Sequence, residues 1–307
     1  MVIKKEYIIN LFNRKYDLKS LQSEYEKIIN EYFSGLRGIV KSEPIGESVI
    51  FKVRYIYELL NCFTQTLNAS NDKRIVDFGC ERGDMLLLLK KIGFINLCGV
   101  NLTPYNDNWL KKGVIFDDLF GNGKNKINYV VCDMDKNKLP FNDNEINVAI
   151  LSDVLEHLHN PGWVLAEINR VMKSEGLLVI GTPNIASIKN RISLLFGNTI
   201  HGTLDSWLST HYRLSGQYVG HTREYSMKEL KKIMQLYGFT PIKWSFIPTL
   251  VLLGEMRNRI PTFVFKIYSF FEKIWPGGRH RIVMVSQKTL KEISDYWIPK
   301  PNYLEEV

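Results

Sequence analysis

From residue 74 onward, hydrophobic and polar positions follow two alternating patterns. Short apolar runs of strand length alternate with longer segments in which apolar residues recur at helical spacing. The short runs predict seven strands: Arg74–Phe78, Leu97–Leu102, Ile127–Cys132, Ile146–Leu151, Leu177–Gly181, Thr240–Phe246 and Arg281–Ser286. The longer segments predict helices at Asp84–Ile92, Pro104–Lys112, Pro161–Met172 and Ser226–Tyr237. This alternation predicts an α/β fold with a doubly wound, seven-stranded, mostly parallel sheet.

The same pattern divides the chain into five segments. Residues 1–70 form a helical extension, with helices expected at 5–33 and 47–68, and residues 71–184 form a ligand-binding core. Residues 185–222 interrupt the alternation after the fifth strand, where the ligand side of such a sheet lies, and so predict a lid or substrate wall. Residues 223–290 complete the core, and residues 291–307 form a tail.

An aromatic segment at 252–276 stands apart from the sheet pattern. Six aromatic residues fall between Phe263 and Trp275, and a helix from Thr262 would have a narrow polar face. The rest of that helix surface requires cover. The core, a second copy of the chain, the substrate and a membrane surface all remain open as the cover.

Composition and charge narrow the expected partners and cellular location of the protein. The chain has 307 residues and a net charge of +8, and residues 223–307 carry 14 Lys and Arg against 8 Asp and Glu. That basic end favours an anionic partner, or is a solvated surface. The four cysteines lack metal-ligand spacing, so we expect reduced thiols and a cytoplasmic protein. No apolar run has the length of a membrane span, and the N-terminus lacks a signal-peptide stretch.

A glycine turn follows the first predicted strand. Asp77 ends the strand, and Gly79, Cys80 and Gly83 lead into a helix. Glycines let a backbone approach a ligand closely, and a helix N-terminus presents free N–H groups. The spacing is not Gly-x-Gly-x-x-Gly, which counts against a dinucleotide and hence against a dehydrogenase. The turn predicts a nucleotide-like cofactor.

Further motifs end the other strands. They are Gly99-Val-Asn101-Leu102, Cys132-Asp133-Met134-Asp135, Ser152-Asp153-Val154-Leu155-Glu156-His157, Gly181-Thr-Pro-Asn184 and His221-x-Arg223-Glu224-Tyr225. Together with the glycine turn, this set resembles the class I S-adenosylmethionine-dependent methyltransferases, in the branch of ubiquinone-biosynthesis and natural-product O-methyltransferases. The resemblance covers about residues 70–240.

The resemblance implies S-adenosylmethionine as the cofactor and a Rossmann-like fold. The implied cofactor-binding residues are Asp77, Gly79, Cys80, Gly83, Asn101, Leu102, Asp133, Met134 and Ser152. Among them, Asp133 would accept a hydrogen bond from the adenine amino group. Asn101 departs from the family, in which an Asp or Glu at this position usually takes both ribose hydroxyls. An amide can accept one such bond and donate another, but the charge is lost.

Histidines are the candidates for proton transfer if the methyl acceptor is a hydroxyl. We expect His157 or His221 to be the base, with Glu156 as a partner, unless alignment alone carries the reaction. His201, His211, Arg223 and Tyr225 are the expected substrate contacts. Metal-ligand spacing is absent, so no metal is expected.

The acceptor is expected to be a small molecule: a sugar, a nucleotide-sugar or a lipid-linked glycan that carries phosphate, or else a phenol or quinone-like compound. The Ser152–Leu155 sequence lacks the Asn/Asp-Pro-Pro-aromatic run of enzymes that methylate exocyclic amines, which counts against nucleic acid. RNA methylation at ribose or a ring carbon and a non-catalytic binding protein stay open as alternatives. So do a homodimer and peripheral membrane contact.

Overall fold

The computed structural model describes residues 55–56, 58, 72–81, 83–102, 127–200, 220–247 and 262–289. The helices predicted at 5–33 and 104–112, and the histidines predicted to contact substrate at 201 and 211, lie outside these ranges. Of the helix predicted at 47–68, three residues are described as helical: Tyr55, Ile56 and Glu58.

All seven predicted strands are present and form one sheet. They are β1 (Ile75–Phe78), β2 (Leu97–Asn101), β3 (Asn128–Val131), β4 (Ile146–Ser152), β5 (Met172–Pro183), β6 (Phe239–Ile247) and β7 (Arg281–Lys288). The strand order is β3-β2-β1-β4-β5-β7-β6. Strands β1 to β5 pair in parallel, and β7 is antiparallel to both β5 and β6. The predicted mostly parallel, doubly wound sheet is confirmed.

Five helices are described from residue 72 onward. They are α1 (Asp84–Ile92), α2 (Pro161–Val171), α3 (Ile188–Leu195), α4 (Met227–Leu236) and α5 (Thr262–Ile274). Short 3₁₀ turns lie at Leu155–His157 and Pro276–Gly278. The bounds predicted for α1 are confirmed, and those for α2 and α4 are right to within one residue at each end.

Local chemistry explains where the helices start. Asn160 accepts a hydrogen bond from the Trp163 N–H at the start of α2, where Pro161 takes the first helical position. Ser226 and Glu229 form a capping box at the start of α4. Gly83, the residue before α1, has a left-handed backbone (φ 71°) and offers no side-chain cap. That helix end therefore keeps its N–H groups for another partner.

Buried apolar strand faces hold the sheet and helices together. Val76, Phe78, Ala149 and Ile180 are fully or almost fully buried in one continuous cluster, in which the α2 residue Ile168 also packs. Strand β5 begins five residues before its predicted start, and the added part includes Lys173, Ser174 and Glu175, which are exposed and polar. A hydrophobic pattern cannot identify such a polar run as strand.

Helices α3 and α5 expose apolar side chains. Phe263, Phe270 and Ile274 of α5 are 64%, 58% and 58% exposed, and Leu195 and Phe196 at the end of α3 are 81% and 75% exposed. These α5 side chains do not fill the core, so that alternative from the sequence is wrong for them. None of the helices in the described part of the chain is long and apolar enough to cross a membrane.

Candidate functional site

The site lies at the carboxyl edge of the parallel strands. Strands β1 and β4 are neighbours at the centre of the sheet; β2 and β3 continue on the β1 side, and β5 on the β4 side. The chain therefore leaves β1 and β4 in opposite directions and opens a crevice between them. Such a switch point is where ligands bind in open α/β sheets.

The turn after β1 requires glycine at position 79. Gly79 has φ 81°, and a Cβ there would lie 2.3 Å from Cγ2 of Val154 in the loop after β4. The N–H groups of Gly79 and Cys80 both donate to the Val100 carbonyl, at 2.8 and 3.1 Å. The turn is thus clamped between the ends of β2 and β4. Asp77 is buried and lies two residues before Gly79, near the end of β1.

The first turn of α1 fits an anionic group. The Gly83 N–H donates to the Cys80 carbonyl at 2.7 Å, and the first helical hydrogen bond runs from Leu87 N–H to Gly83 O at 2.9 Å. The N–H groups between them belong to the uncapped first turn and point out of the helix end. A carboxylate is stabilised at such a helix N-terminus.

Asn101 is engaged locally at the end of β2. Its Oδ1 accepts the Leu102 N–H at 3.0 Å. It also hydrogen-bonds Tyr129, whose pKa is raised chiefly by burial. The side-chain oxygen therefore shapes the turn at the strand end, and one hydrogen of the amide NH₂ serves the Tyr129 hydroxyl, which leaves the other to donate to a ribose oxygen.

Asp133 lies just beyond Asn101 along the same sheet edge. Its Oδ1 accepts the Asp135 N–H at 3.2 Å, and its Oδ2 is 3.2 Å from Lys136 Nζ. Met134 beside it is 9% exposed and packs in the apolar cluster. The predicted cofactor residues Gly79, Asn101 and Asp133 thus stand at the ends of three neighbouring strands, in the order in which an extended nucleoside would cross them. These residues fit S-adenosylmethionine.

The loop after β4 carries an acidic pair, of which Glu156 is buried and Asp153 half-buried. Asp153 has a left-handed backbone (φ 56°), and its N–H donates to the Gly181 carbonyl at 2.9 Å. Glu156 is 1% exposed and accepts a hydrogen bond from Thr182 Oγ1 at 3.0 Å. Burial, and then the charge of Asp153, raise the pKa of Glu156 to about 8.

Two residues that the sequence analysis missed neutralise and orient this pair. The Arg281 guanidinium, at the start of β7, forms an ion pair with Asp153. The Tyr55 hydroxyl donates to Asp153 Oδ1 at 3.3 Å, and a Cβ on Gly181 would collide with the Tyr55 ring. The sequence marks Arg281 only as a charged residue that begins an otherwise apolar strand. Nothing in the sequence pattern identifies Tyr55.

His157 is held by a backbone carbonyl. Its Nδ1 lies 3.2 Å from the Gly220 carbonyl oxygen. A carbonyl only accepts hydrogen bonds, so Nδ1 carries the proton in the neutral ring and Nε2 carries the lone pair. The His157 ring meets the His221 ring edge to face, with centroids 4.9 Å apart.

His221 is held by a carboxylate. Its Nδ1 lies 3.2 Å from Glu224 Oε1, and Glu224 Oε2 accepts a hydrogen bond from Asn190 Nδ2 at 2.9 Å. The hydrogen bond to Glu224 raises the pKa of His221. Glu224 is a further residue that the sequence analysis missed, and its position three residues after a histidine in a turn was the signal for it.

The three predicted catalytic residues come together in space. Ligand atoms of Glu156, His157 and His221 lie within 4.8 Å of one another. Arg223 is largely exposed, pairs with Glu229 at 2.9 Å and lies over the Tyr225 ring. Tyr225 is 2% exposed, so it supports Arg223 from the core side and does not present its own ring to a ligand.

Comparison with known proteins identifies the family. The model of a family described as a methyltransferase domain matches residues 53–243, which is more than half of the chain. The chain belongs to this family. The predicted resemblance is therefore confirmed. S-adenosylmethionine, the cofactor of this family, is confirmed with it.

Two curated relatives cover part of the chain. A sterol 4-C-methyltransferase from Caenorhabditis elegans is 27% identical over 50% of this chain and 43% of its own length. A mitochondrial ubiquinone biosynthesis O-methyltransferase from Dictyostelium discoideum is 23% identical over 46% of this chain and 47% of its own. The alignments thus span less than half of each relative. A crystal structure of a SAM-dependent methyltransferase from Archaeoglobus fulgidus is 19% identical and covers 83% of this chain and 99% of its own, with a TM-score of 0.48.

Proposed function

We propose that this protein transfers the methyl group of S-adenosylmethionine to a hydroxyl oxygen of a lipid-linked glycan at a membrane surface. The observation that carries the reaction type is the pairing of His221 with Glu224 in a cluster beside the expected cofactor crevice. A histidine whose Nδ1–H is held by a carboxylate keeps a basic Nε2, which suits removal of a hydroxyl proton near neutral pH.

The reaction needs one displacement and one proton transfer. The acceptor oxygen attacks the methyl carbon, the carbon–sulfur bond breaks, and its electron pair returns to sulfur, which becomes a neutral thioether. His221 Nε2 accepts the hydroxyl proton. His221 belongs to the cluster formed with Glu156 and His157. The closely packed turn at Gly79 and the loop at Val154 would fix the distance between donor and acceptor.

The choice of a lipid-linked acceptor is supported by an exposed apolar surface, which we call the apolar rim. Its members are Ile192, Leu194, Leu195 and Phe196 of the α3 region and Phe263, Ile267, Phe270, Phe271, Ile274 and Trp275 of the α5 region, all at least 44% exposed. Apolar patches of this kind mark contact sites on protein surfaces.

The apolar rim lies beside the site because of how its helices are anchored. Helix α3 follows the carboxyl end of β5, and α5 leads into the start of β7, which pairs with that same end. Asn184 Nδ2 donates to the carbonyls of Gly277 and Arg279, and the Arg191 guanidinium lies 4.9 Å from the centre of the Trp275 ring. The two helices are thereby joined at the edge of the sheet that carries the cluster.

Basic residues border the apolar rim. Lys189, Lys266 and Lys273 are exposed on the same two helices. Apolar side chains together with lysines are the composition that binds the interface of an anionic membrane. The two relatives named for a sterol and for ubiquinone biosynthesis are consistent with an acceptor that partitions into lipid, and they make a quinone-like phenol the second candidate.

The experiment is transfer of a labelled methyl group. Purified protein and methyl-labelled S-adenosylmethionine are incubated with lipid-linked glycan in anionic vesicles, a water-soluble nucleotide-sugar, a phenolic quinone precursor, or RNA. We expect label in the lipid phase that mild acid releases as an O-methyl sugar, and its loss in His221→Gln but not in the control Glu229→Gln. Label in RNA or in the nucleotide-sugar alone, or label in none of the four, would overturn the proposal.

A further inference from the structure

We infer that Glu156, His157 and His221 form a binding site for a divalent transition-metal ion. The inference deepens the proposed function and rests on it for the role of the ion, but the site itself is argued from the side chains alone. The sequence analysis expected no metal because no ligand spacing is visible. The fold supplies the third ligand from a segment 64 positions after His157 in the chain.

The backbone fixes the two ligand-bearing segments against each other. The Thr222 N–H and hydroxyl both donate to the Glu156 carbonyl, at 2.7 and 3.0 Å, and the Thr222 hydroxyl also lies 2.8 Å from the Leu158 carbonyl. His221 therefore sits directly beside the 3₁₀ turn that carries Glu156 and His157. One carboxylate and two imidazoles within 4.8 Å of one another form a donor set that small adjustments would close around an ion.

The outer partners of the three ligands match those of known metal sites. A metal-binding histidine almost always donates its other ring N–H to a carboxylate or a backbone carbonyl. His157 does so to the Gly220 carbonyl, and His221 does so to Glu224. In that arrangement Nε2 of each ring carries the lone pair.

Glu156 is fixed in the same way, because Thr182 donates a hydrogen bond to its Oε2. Beyond it, Glu224 is itself held by Asn190. Each ligand is thus held by an orienting group, and this feature is independent of how close the three ligands lie to one another.

The chemistry of the donors selects the ion. Two imidazoles and one carboxylate suit Zn²⁺, Fe²⁺, Mn²⁺ or Co²⁺, whereas Mg²⁺ and Ca²⁺ prefer oxygen ligands. Three protein ligands leave positions open for the acceptor. The neighbouring acid, Asp153, is already paired with Arg281, so Glu156 is the carboxyl group of this loop that can coordinate the ion, which would displace its proton.

The ion would change how the acceptor loses its proton. A coordinated hydroxyl is more acidic, so its proton passes to a solvent base while the oxygen stays on the ion. That oxygen then forms the bond to the methyl carbon as the carbon–sulfur bond breaks and its electron pair goes to sulfur. When the ion is bound, His157 and His221 hold it and do not accept the proton. Without the ion, His221 accepts the proton as described above.

The test is direct titration of the full chain with Co²⁺ after chelation and removal of bound metal. Binding is followed by the visible absorption of Co²⁺ and by calorimetry with Zn²⁺. We expect one equivalent to bind. His221→Gln and Glu156→Gln should each weaken binding by at least about tenfold, and Glu224→Gln, which removes only an orienting group, by about tenfold. The matched control His159→Gln removes a half-exposed histidine that lies against Asp135, and should bind Co²⁺ normally.

Binding of S-adenosylhomocysteine is measured in the same metal-free samples and reports whether each variant is folded. No Co²⁺ binding by folded wild-type protein, or equal binding by His221→Gln, would overturn the inference and leave the proposed function standing. Binding of Co²⁺ with no methyl transfer to any acceptor by the loaded protein would have the opposite meaning: the metal site stands and the proposed function fails.

Discussion

Asp153 and Arg281 form an ion pair across 128 residues of sequence. The pair exists because β7 runs antiparallel to β5, which places Arg281 opposite Pro183 at the carboxyl edge of the sheet. Asp153 lies at that same edge, in the loop after β4. The guanidinium thus supplies the positive charge for an acidic pocket that also contains Glu156 and the Tyr55 hydroxyl.

Removal of that charge should destabilise the protein. In Arg281→Met, Asp153 loses its cation in a largely buried pocket, and we expect the free energy of unfolding to fall by about 3–5 kcal/mol. Arg281→Lys keeps the positive charge, so its free energy of unfolding should fall less. Urea unfolding followed by circular dichroism measures both. A loss below about 1 kcal/mol for the Met variant would show that the pair does not support the site.

Glu156 should make stability fall as pH rises. Its pKa is about 8 in the folded protein against an ordinary value of 4.5, so between those pH values the unfolded chain releases a proton that the folded chain keeps. The contribution of Glu156 is therefore complete below pH 4.5 and is lost by about pH 8. Glu156→Gln should lack this fall, a difference of about 5 kcal/mol over the range, since one pKa unit corresponds to about 1.4 kcal/mol. Denaturant unfolding of metal-free protein at several pH values tests it, and parallel curves for the two proteins would contradict it.

Glu224 should set the basicity of His221. Its hydrogen bond is the largest cause that raises the His221 pKa, so Glu224→Gln should lower that pKa. The measurement is an NMR titration of the histidine ring protons in metal-free protein, with His221→Gln to assign the signal. Glu229→Gln removes a carboxylate that pairs with Arg223, and should leave the His221 curve in place. An unchanged His221 pKa in Glu224→Gln would remove the basis for its role as a base.

The apolar rim should bind anionic vesicles. We expect the protein to pellet with vesicles that contain phosphatidylserine at low salt, and the double variant Leu195→Ser, Phe196→Ser to pellet much less. Ile95→Ser is the matched control: Ile95 is 71% exposed but precedes β2, at the opposite edge of the sheet. Wild-type protein that stays in the supernatant, or equal loss in the Ile95 variant, would rule out the rim as the lipid contact. A dimer that dissociates in the double variant would assign the rim to a second copy.

The strands and the residues at their carboxyl ends could be predicted because they depend on local pattern. Gly79, Asn101, Asp133 and Asp153 each follow an apolar run, and a parallel sheet brings all such ends to one edge. Helix starts were predictable for the same reason, as Asn160 and Pro161 show.

Residues that reach the site through pairing between distant strands could not be predicted. Arg281 depends on the register of β7 against β5, and the contact of Tyr55 with Gly181 depends on packing between residues far apart in the sequence. The exposure of the α5 aromatics has a related cause. A one-sided apolar helix shows which face needs cover, but not what covers it.

The most direct test of the account is calorimetric titration of the purified protein with S-adenosylmethionine and S-adenosylhomocysteine. We expect both to bind wild-type protein and the control Asp143→Ala, which removes an exposed carboxylate that pairs with Arg170. Asp133→Ala should weaken both by about 10- to 100-fold, since a hydrogen bond to a charged group contributes about 1.5–3 kcal/mol. Binding that is absent from the wild type, or equal in folded Asp133→Ala, would contradict the assignment of this sheet edge as the cofactor site.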